Sequence, residues 1–129
     1  MTTRSIPHLI IGFGKAGKTL AADLAKHGES VILVEQSAAM YGGTCINIGC
    51  IPSKLLLVEG EKSARLTDKS AAFQAAMQRR EQLTSALRAA KYNKLATIPG
   101  VEILTGTARF LSPNVVEVST EDGACQIEA

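Results

Sequence analysis

Two cysteines five positions apart are the residues of this sequence best suited to chemistry. Cys45 and Cys50 lie in the glycine-rich residues 42–54, GGTCINIGCIPSK. A regular helix would turn by about 500° between them and leave the two thiols roughly 140° apart. A disulfide needs Cα atoms about 4.4–6.8 Å apart. A bond between these thiols therefore requires an irregular backbone, which Gly49 permits.

A thiol at the start of a helix also has a lowered pKa, and both features suit a disulfide that forms and breaks reversibly. A zinc site is one alternative, but it would need four ligands, and the sequence offers no second cysteine pair and no histidine pair. Two inert buried cysteines are another alternative, which leaves the surrounding glycines unexplained. The sequence thus favours no metal site. We interpret Cys125 as an apolar filler because it has no partner in the sequence.

A β-α-β unit precedes the cysteines. The apolar run HLII at residues 8–11 predicts a buried parallel strand. Residues 16–26 have the apolar spacing of an amphipathic helix. The run VILV at residues 31–34 predicts a second buried strand, which closes with Glu35. The predicted inward face of the helix consists of Leu20, Ala21 and Leu24.

The glycines of this unit stand where a dinucleotide-binding turn needs them. Gly12 allows the tight turn after the strand, Gly14 lets the backbone approach a pyrophosphate, and Gly17 lets the helix pack closely on the strand. The phosphates would lie at the helix N-terminus, where free N–H groups favour negative charge. Glu35 follows Gly17 by 18 residues and could accept hydrogen bonds from a ribose diol. The pattern predicts a dinucleotide site of either the NAD or the FAD kind. A glycine-rich turn before a structural helix is the alternative.

The remaining elements complete an α/β pattern. Residues 55–96 have helical spacing, with possible breaks at Gly60 and at residues 67–68. The inward face predicted for this stretch includes Phe73 and Leu83. Four strands follow, at residues 101–104, 107–111, 115–119 and 124–128, with a hairpin turn at residues 121–123.

This order predicts a Rossmann-like fold, with a parallel sheet followed by an antiparallel β-meander. Residues 126–129 have the pattern of a strand that ends before it is complete, and no later strand follows to close the sheet. We therefore expect residues 1–129 to form a single domain that is incomplete at its C-terminal side.

Composition excludes several function classes. Fourteen basic against twelve acidic side chains give a net charge of +2, which is too weak to indicate a nucleic-acid or membrane partner. Aromatic residues make up only 4% of the sequence, which disfavours base stacking. No apolar stretch approaches the roughly 20 residues of a membrane span, and no signal segment is visible. We expect a cytoplasmic protein.

Residues 42–54 closely resemble the active-site stretch of the class I pyridine nucleotide–disulfide oxidoreductases. That family includes dihydrolipoamide dehydrogenase, glutathione reductase and mercuric reductase. The resemblance extends from about residue 9 to the end of the chain, and residues 12–17 and 106–110 also match family segments. Residues 12–19 together with residues 40–43 most resemble the bacterial reactive-chlorine-resistance oxidoreductases, a subgroup similar to mercuric reductase that reduces copper(II).

The resemblance implies a role for each matching residue. Cys45 would be the interchange thiol that attacks the substrate, and Cys50 the charge-transfer thiol against the flavin ring. Lys54 would lie near the flavin N5, where a cation stabilises the reduced flavin; without the resemblance it would be a solvated helix lysine. The residues implied to bind FAD are Gly12, Gly14 and Gly17 at the pyrophosphate, Glu35 at the adenosine ribose, Gly43 and Thr44 at the phosphate and ribityl region, and Ala108 near the adenine.

The resemblance further implies an FAD enzyme that takes hydride from NAD(P)H and reduces a small-molecule or metal-ion oxidant. It implies a homodimer for the intact enzyme, whose second dinucleotide site, dimerisation domain and His–Glu acid/base pair are not found in these 129 residues. Three alternatives stay open: a plain NAD-dependent dehydrogenase domain, a dihydrolipoamide dehydrogenase-like enzyme, and a truncated inactive product or small binding module. The first does not explain residues 42–54.

Overall fold

The computed structural model of the chain describes residues 3–129, which form two β-sheets and a layer of helices. A 3₁₀ turn at Ala38–Met40 precedes the second helix. The strands are β1 (Thr3–Ser5), β2 (His8–Ile11), β3 (Val31–Glu35), β4 (Val101–Thr105), β5 (Thr107–Ser112), β6 (Val115–Thr120) and β7 (Gly123–Glu128), and the helices are α1 (Lys15–Lys26), α2 (Thr44–Asn47), α3 (Cys50–Ser63) and α4 (Lys69–Ala96).

The parallel sheet has the order β2-β3-β4 and buries its central strand completely. Successive side chains of a strand point to opposite faces. Val31 and Leu33 accordingly pack with α1 and α4, while Ile32 and Val34 pack against the second sheet. The predicted βαβ unit and its parallel sheet are confirmed.

The second sheet has the order β1-β7-β6-β5, in which β5, β6 and β7 form the predicted antiparallel meander. No local pattern indicates β1, which lies parallel to β7 and pairs Arg4 with Ile127. The sequence predicts no closing strand after β7; the neighbour of β7 on that side is β1, from the start of the chain. Arg4 also donates two hydrogen bonds, of 2.8 and 2.5 Å, to the carboxylate of Glu102 in the other sheet.

The predicted helical stretch consists of two helices. The break lies at residues 64–68, where the Asp68 carboxylate caps α4 by accepting a hydrogen bond of 2.9 Å from the Ala71 N–H. Gly60, the other possible break, lies inside α3, and α3 begins at Cys50 rather than at residue 55.

Some side chains predicted to face inward are exposed instead. Leu20 on α1 is 50% exposed and Phe73 on α4 is 63% exposed. The core against the parallel sheet is reached instead by Ala21 of α1 and by Leu95 near the end of α4. No helix within residues 3–129 is both long enough and apolar enough to cross a membrane.

Candidate functional site

The glycine turn at residues 12–17 joins β2 to α1. Gly12 has a φ of +109°, and its N–H donates a hydrogen bond of 2.7 Å to the carbonyl oxygen of Val34. A Cβ atom at residue 17 would lie 2.1 Å from the Gly12 oxygen, so only glycine lets the helix approach the turn. At Gly14, which precedes α1, a Cβ atom would meet nothing within 4 Å. The turn therefore leaves an open space in front of the helix N-terminus.

Glu35 ties the end of β3 to this turn. Its side chain is buried, with Oε2 accepting a hydrogen bond of 3.0 Å from the Phe13 N–H and Oε1 accepting one of 3.2 Å from the Ser37 N–H. Carboxylate oxygens have two lone pairs each, so both can accept a further donor. Glu35 therefore stabilises the turn by hydrogen bonds to backbone N–H groups of the protein. The sequence predicts a ligand contact for the same side chain.

A second glycine pair brings the cysteine segment to the same place. Gly42 and Gly43 have φ angles of +88° and +94°, a region that favours glycine. A Cβ atom at residue 43 would lie 2.6 Å from the Gly14 Cα. Lys18 of α1 donates a hydrogen bond of 2.7 Å from Nζ to the carbonyl oxygen of Gly42. The residues before Cys45 are therefore packed directly on the glycine turn.

The backbone between the two cysteines is irregular, as the sequence predicts. Helix α2 ends at Asn47, and the N–H groups of Ile48 and Gly49 both donate to the Thr44 carbonyl oxygen, at 3.0 and 2.8 Å. A Cβ atom at residue 49 would lie 3.1 Å from that oxygen and 3.3 Å from the Cys45 Cα. Gly49 is needed for this close approach, which folds the chain back before Cys50 begins α3.

Both thiols are exposed and free. Hydrogen bonding with the Cys45 side chain is the largest cause that raises the pKa of Cys50, followed by the charge of Cys45 and by burial, while a backbone hydrogen bond opposes them. The expectation of a lowered pKa at the helix start is therefore wrong for Cys50. The neighbouring thiol outweighs the helix terminus, because a second negative charge beside it is unfavourable.

Asn47 is a structural residue of the site that sequence reasoning missed. Its Nδ2 donates to the carbonyl oxygens of Tyr41, at 3.0 Å, and Gly43, at 2.8 Å. Its Oδ1 accepts a hydrogen bond of 2.9 Å from the Nε of Arg88 on α4. The signal was present, since Asn47 is the one polar residue between the apolar Ile46 and Ile48. These bonds hold the glycine pair and α2 against α4.

The other predicted site residues lie around this centre. Thr44 begins α2 directly after Gly43 and is exposed. Lys54 is exposed on α3, four residues after Cys50, and forms no ion pair within residues 3–129. Ala108 lies on β5, half-buried against the core between the sheets. In the part of the chain that the structure describes, no group of three His, Cys, Asp or Glu side chains could hold a metal ion.

Comparison with known proteins matches residues 6–126 to the family model described as pyridine nucleotide-disulphide oxidoreductase. The chain is 45% identical over 119 residues to the probable pyridine nucleotide-disulfide oxidoreductase RclA of Escherichia coli, covering 92% of this chain and 25% of that protein. It is 38% identical to a mercuric reductase of Streptomyces lividans, covering 88% of this chain and 26% of that protein.

Solved structures give the same result. The Cu(II) complex of the HOCl-induced flavoprotein disulfide reductase RclA from Escherichia coli superimposes with a TM-score of 0.88 at 42% sequence identity. The match covers 98% of this chain and 27% of that one. The chain thus spans about a quarter of the length of the relatives it matches.

Proposed function

The chain belongs to the pyridine nucleotide-disulphide oxidoreductase family, and on that premise we propose that it is the FAD-binding and thiol-bearing part of an NAD(P)H-dependent flavoprotein disulfide reductase. One observation carries this proposal: the glycine turn before α1 and the glycine pair before Cys45 are in van der Waals contact, at Gly14 and Gly43. A dinucleotide on the turn would therefore extend directly toward the two thiols.

The residues of the turn fit an FAD pyrophosphate. Positions 12 and 14 both face open space, where a side chain would meet no protein atom within 4 Å. Helix α1 has 12 residues and carries no acidic side chain in its first turn to oppose an anion. Gly12, Gly14 and Gly17 would bind the pyrophosphate and Glu35 the adenosine ribose. Gly43 and Thr44 would bind the phosphate and ribityl region, and Ala108 would lie near the adenine.

The two thiols would carry the redox chemistry. When bound, FAD would supply the electron pair that it takes from NAD(P)H, which reduces the Cys45–Cys50 disulfide to two thiols. Cys45, on α2, would then attack a disulfide substrate or deliver electrons with its partner to a metal ion. Cys50, at the start of α3, would lie against the flavin, with Lys54 one helical turn farther along the same helix. Both thiols are exposed, which such exchange requires.

The relatives suggest the class of substrate. One relative is named a mercuric reductase, and another was solved as a Cu(II) complex. We propose that the whole protein reduces a metal ion or a small oxidant in the cytoplasm, where NAD(P)H is the electron donor. We also propose that it acts as a homodimer. Turnover would need the parts that these residues lack, since they match only 25–27% of each relative.

Extraction of the bound flavin tests the cofactor. Purified in the form its gene encodes, the protein should release FAD on heating, identified by chromatography; recovery of FMN alone would contradict the proposal. Gly14→Ala sharpens the test, because its φ of −76° and the empty space beside it tolerate a Cβ atom in the unliganded fold. The variant should keep its melting temperature but bind FAD at least tenfold more weakly. Gly60→Ala, equally free of contacts, should change neither flavin content nor affinity.

A further inference from the structure

A basic pocket lies beside α1. It has a volume of about 300 Å³ and lies between α1 and the C-terminal end of α4. Its apolar floor consists of Ala22, Leu95 and Ile98. Five lysines form its walls: Lys15, Lys18, Lys26, Lys91 and Lys94.

The charge of this pocket is not neutralised by the protein. Five ammonium groups face one carboxylate, that of Asp23, so the pocket carries a formal charge of +4 (five minus one), while the whole chain carries only +2. Within residues 3–129, none of the five lysines lies within 4 Å of a carboxylate oxygen. The single carboxylate is itself 4.0 Å from the Nδ1 of His27.

Lys18 and Lys91 lie near each other, and their like charges repel. Burial lowers the pKa of Lys18, and the charges of Lys91 and Lys15 lower it further. Lys18 stays in place because its Nζ donates to the Gly42 carbonyl oxygen, and the stem of Lys91 lies beside the same glycine. Like charges fixed at short range repel each other, and a multivalent anion between them would turn repulsion into attraction.

We propose that this lysine pocket binds a small multivalent anion of the phosphate class, in addition to the pyrophosphate position proposed at Gly12 and Gly14. Lysine ammonium groups are compact point charges that suit phosphate oxygens. The volume is at the lower end of the roughly 300–1,000 Å³ usual for small-ligand pockets. The apolar floor could cover an uncharged part of the ligand. Gly12, Gly14 and Gly43 do not line the pocket, but Lys15 directly follows Gly14 and Lys18 is bonded to Gly42, so the experiment includes Gly14→Ala to tell the pocket from the proposed pyrophosphate position.

The concave shape favours a small ligand over an acidic protein segment. The lysines come from two helices and converge on one cavity, instead of forming a line along a surface on which an extended chain could lie. A nucleic acid would need a longer basic track with aromatic side chains for stacking, and the lining of this pocket contains no aromatic residue.

Calorimetric titration of the purified chain with sodium tripolyphosphate tests the proposal. We expect binding with one site per chain, weakened at least tenfold between about 0.05 and 0.5 M salt because the contacts are ionic. Lys91→Gln combined with Lys94→Gln should weaken it at least tenfold. Lys62→Gln combined with Arg65→Gln removes the same charge from the end of α3 and the break after it, and should change the affinity less than twofold. Far-UV circular dichroism should show unchanged helix content in both double variants.

Two further measurements test alternative binding sites and alternative ligands. Gly14→Ala should bind tripolyphosphate as the parent does. If Gly14→Ala loses binding and the double variant at residues 91 and 94 keeps it, the anion occupies the glycine turn and the proposal is overturned. A hexa-aspartate peptide that binds more tightly than tripolyphosphate would also overturn it, in favour of an acidic protein partner. Equal affinity of the two double variants would mean that tripolyphosphate binding depends only on the net charge of the chain. That result would refute a specific site at the lysine pocket.

Discussion

The backbone of Gly43 lies against that of Gly14, so closely that a Cβ atom at residue 43 would stand 2.6 Å from the Gly14 Cα. This contact joins two segments that are 29 positions apart in the sequence. It fixes where α2 begins, and hence where Cys45 lies relative to the turn before α1. The glycines of the cysteine segment therefore position the thiols.

Gly43→Ala should destabilise the fold by at least about 2 kcal/mol. The φ of +94° costs an L-residue about 1–3 kcal/mol, and the clash with Gly14 adds the cost of an overpacked site. Gly60→Ala is the matched control, since residue 60 lies in α3 with nothing within 4 Å. Alanine there should raise the free energy of unfolding by about 0.5–1 kcal/mol, because it favours the helix. Urea unfolding of both variants measures this; equal effects would contradict the contact.

Cys45 and Cys50 should form a disulfide when the protein is oxidised. The Cys45 thiol is near enough to raise the pKa of Cys50, and both thiols are exposed to oxidants. Titration of the unfolded protein should find two more thiols after mild reduction than before it. Cys125→Ala should leave this difference unchanged, because Cys125 lies on β7, away from the pair. An unchanged thiol count in the parent would show that the pair is inert.

The pH at which Cys50 becomes reactive should fall when Cys45 is replaced by alanine. A raised pKa keeps the Cys50 thiol protonated to higher pH, and the hydrogen bond with Cys45 is the largest cause of the increase. Cys45→Ala removes this bond and the neighbouring charge, so the thiolate should form at lower pH. The rate of iodoacetamide alkylation of the Cys50 peptide, followed by mass spectrometry against pH, measures this. A midpoint that stays in place or rises would contradict the assigned cause.

The sequence predicted the parallel sheet and the meander because each rests on local signals. Mostly apolar runs of four residues that follow a proline or a glycine, such as those at 8–11 and 101–104, mark short strands. Strand β1 has no such pattern: Thr3, Arg4 and Ser5 are polar, and they form a strand only because β7 offers a free edge. That is tertiary information, which a local pattern does not contain.

The candidate site also combines features that local sequence patterns predict with features that only tertiary contacts determine. Glycine spacing indicated where the backbone must turn; Gly17 and Gly43 leave no room for a side chain, and a Cβ atom at Gly49 would be tightly packed. The contacts that join distant segments were not predictable. Arg88 bonds to Asn47 across 41 positions, and only the packing of α2 on α4 brings them together. The pKa of Cys50 was predicted in the wrong direction, because the spacing of two thiols in the sequence does not reveal how strongly Cys45 acts on Cys50.

The 129-residue chain by itself should bind FAD poorly and show no NAD(P)H-dependent reductase activity. It contains one glycine motif of the dinucleotide type and no second motif for the pyridine nucleotide. Large apolar side chains such as Phe73 and Phe110, 63% and 65% exposed, and the open edge of β5 also favour aggregation. NAD(P)H oxidation with added FAD, followed by absorbance, measures activity. Measurable turnover would refute this prediction.

The last prediction distinguishes the two thiols in the flavin-loaded protein that its gene encodes. Cys50→Ser should remove the long-wavelength absorbance of the two-electron-reduced form, because only a polarizable thiolate against the ring can donate charge into it, and a hydroxyl at neutral pH is a poor donor. Cys45→Ser should show that absorbance without any reductant, since it leaves Cys50 as a lasting thiolate. Both variants should retain FAD, whose proposed phosphate contacts lie at residues 12–17 and 43–44. Absorbance spectra of the purified variants at neutral pH measure this. The opposite pattern would exchange the roles of Cys45 and Cys50, and no change in either variant would mean that neither thiol faces the flavin.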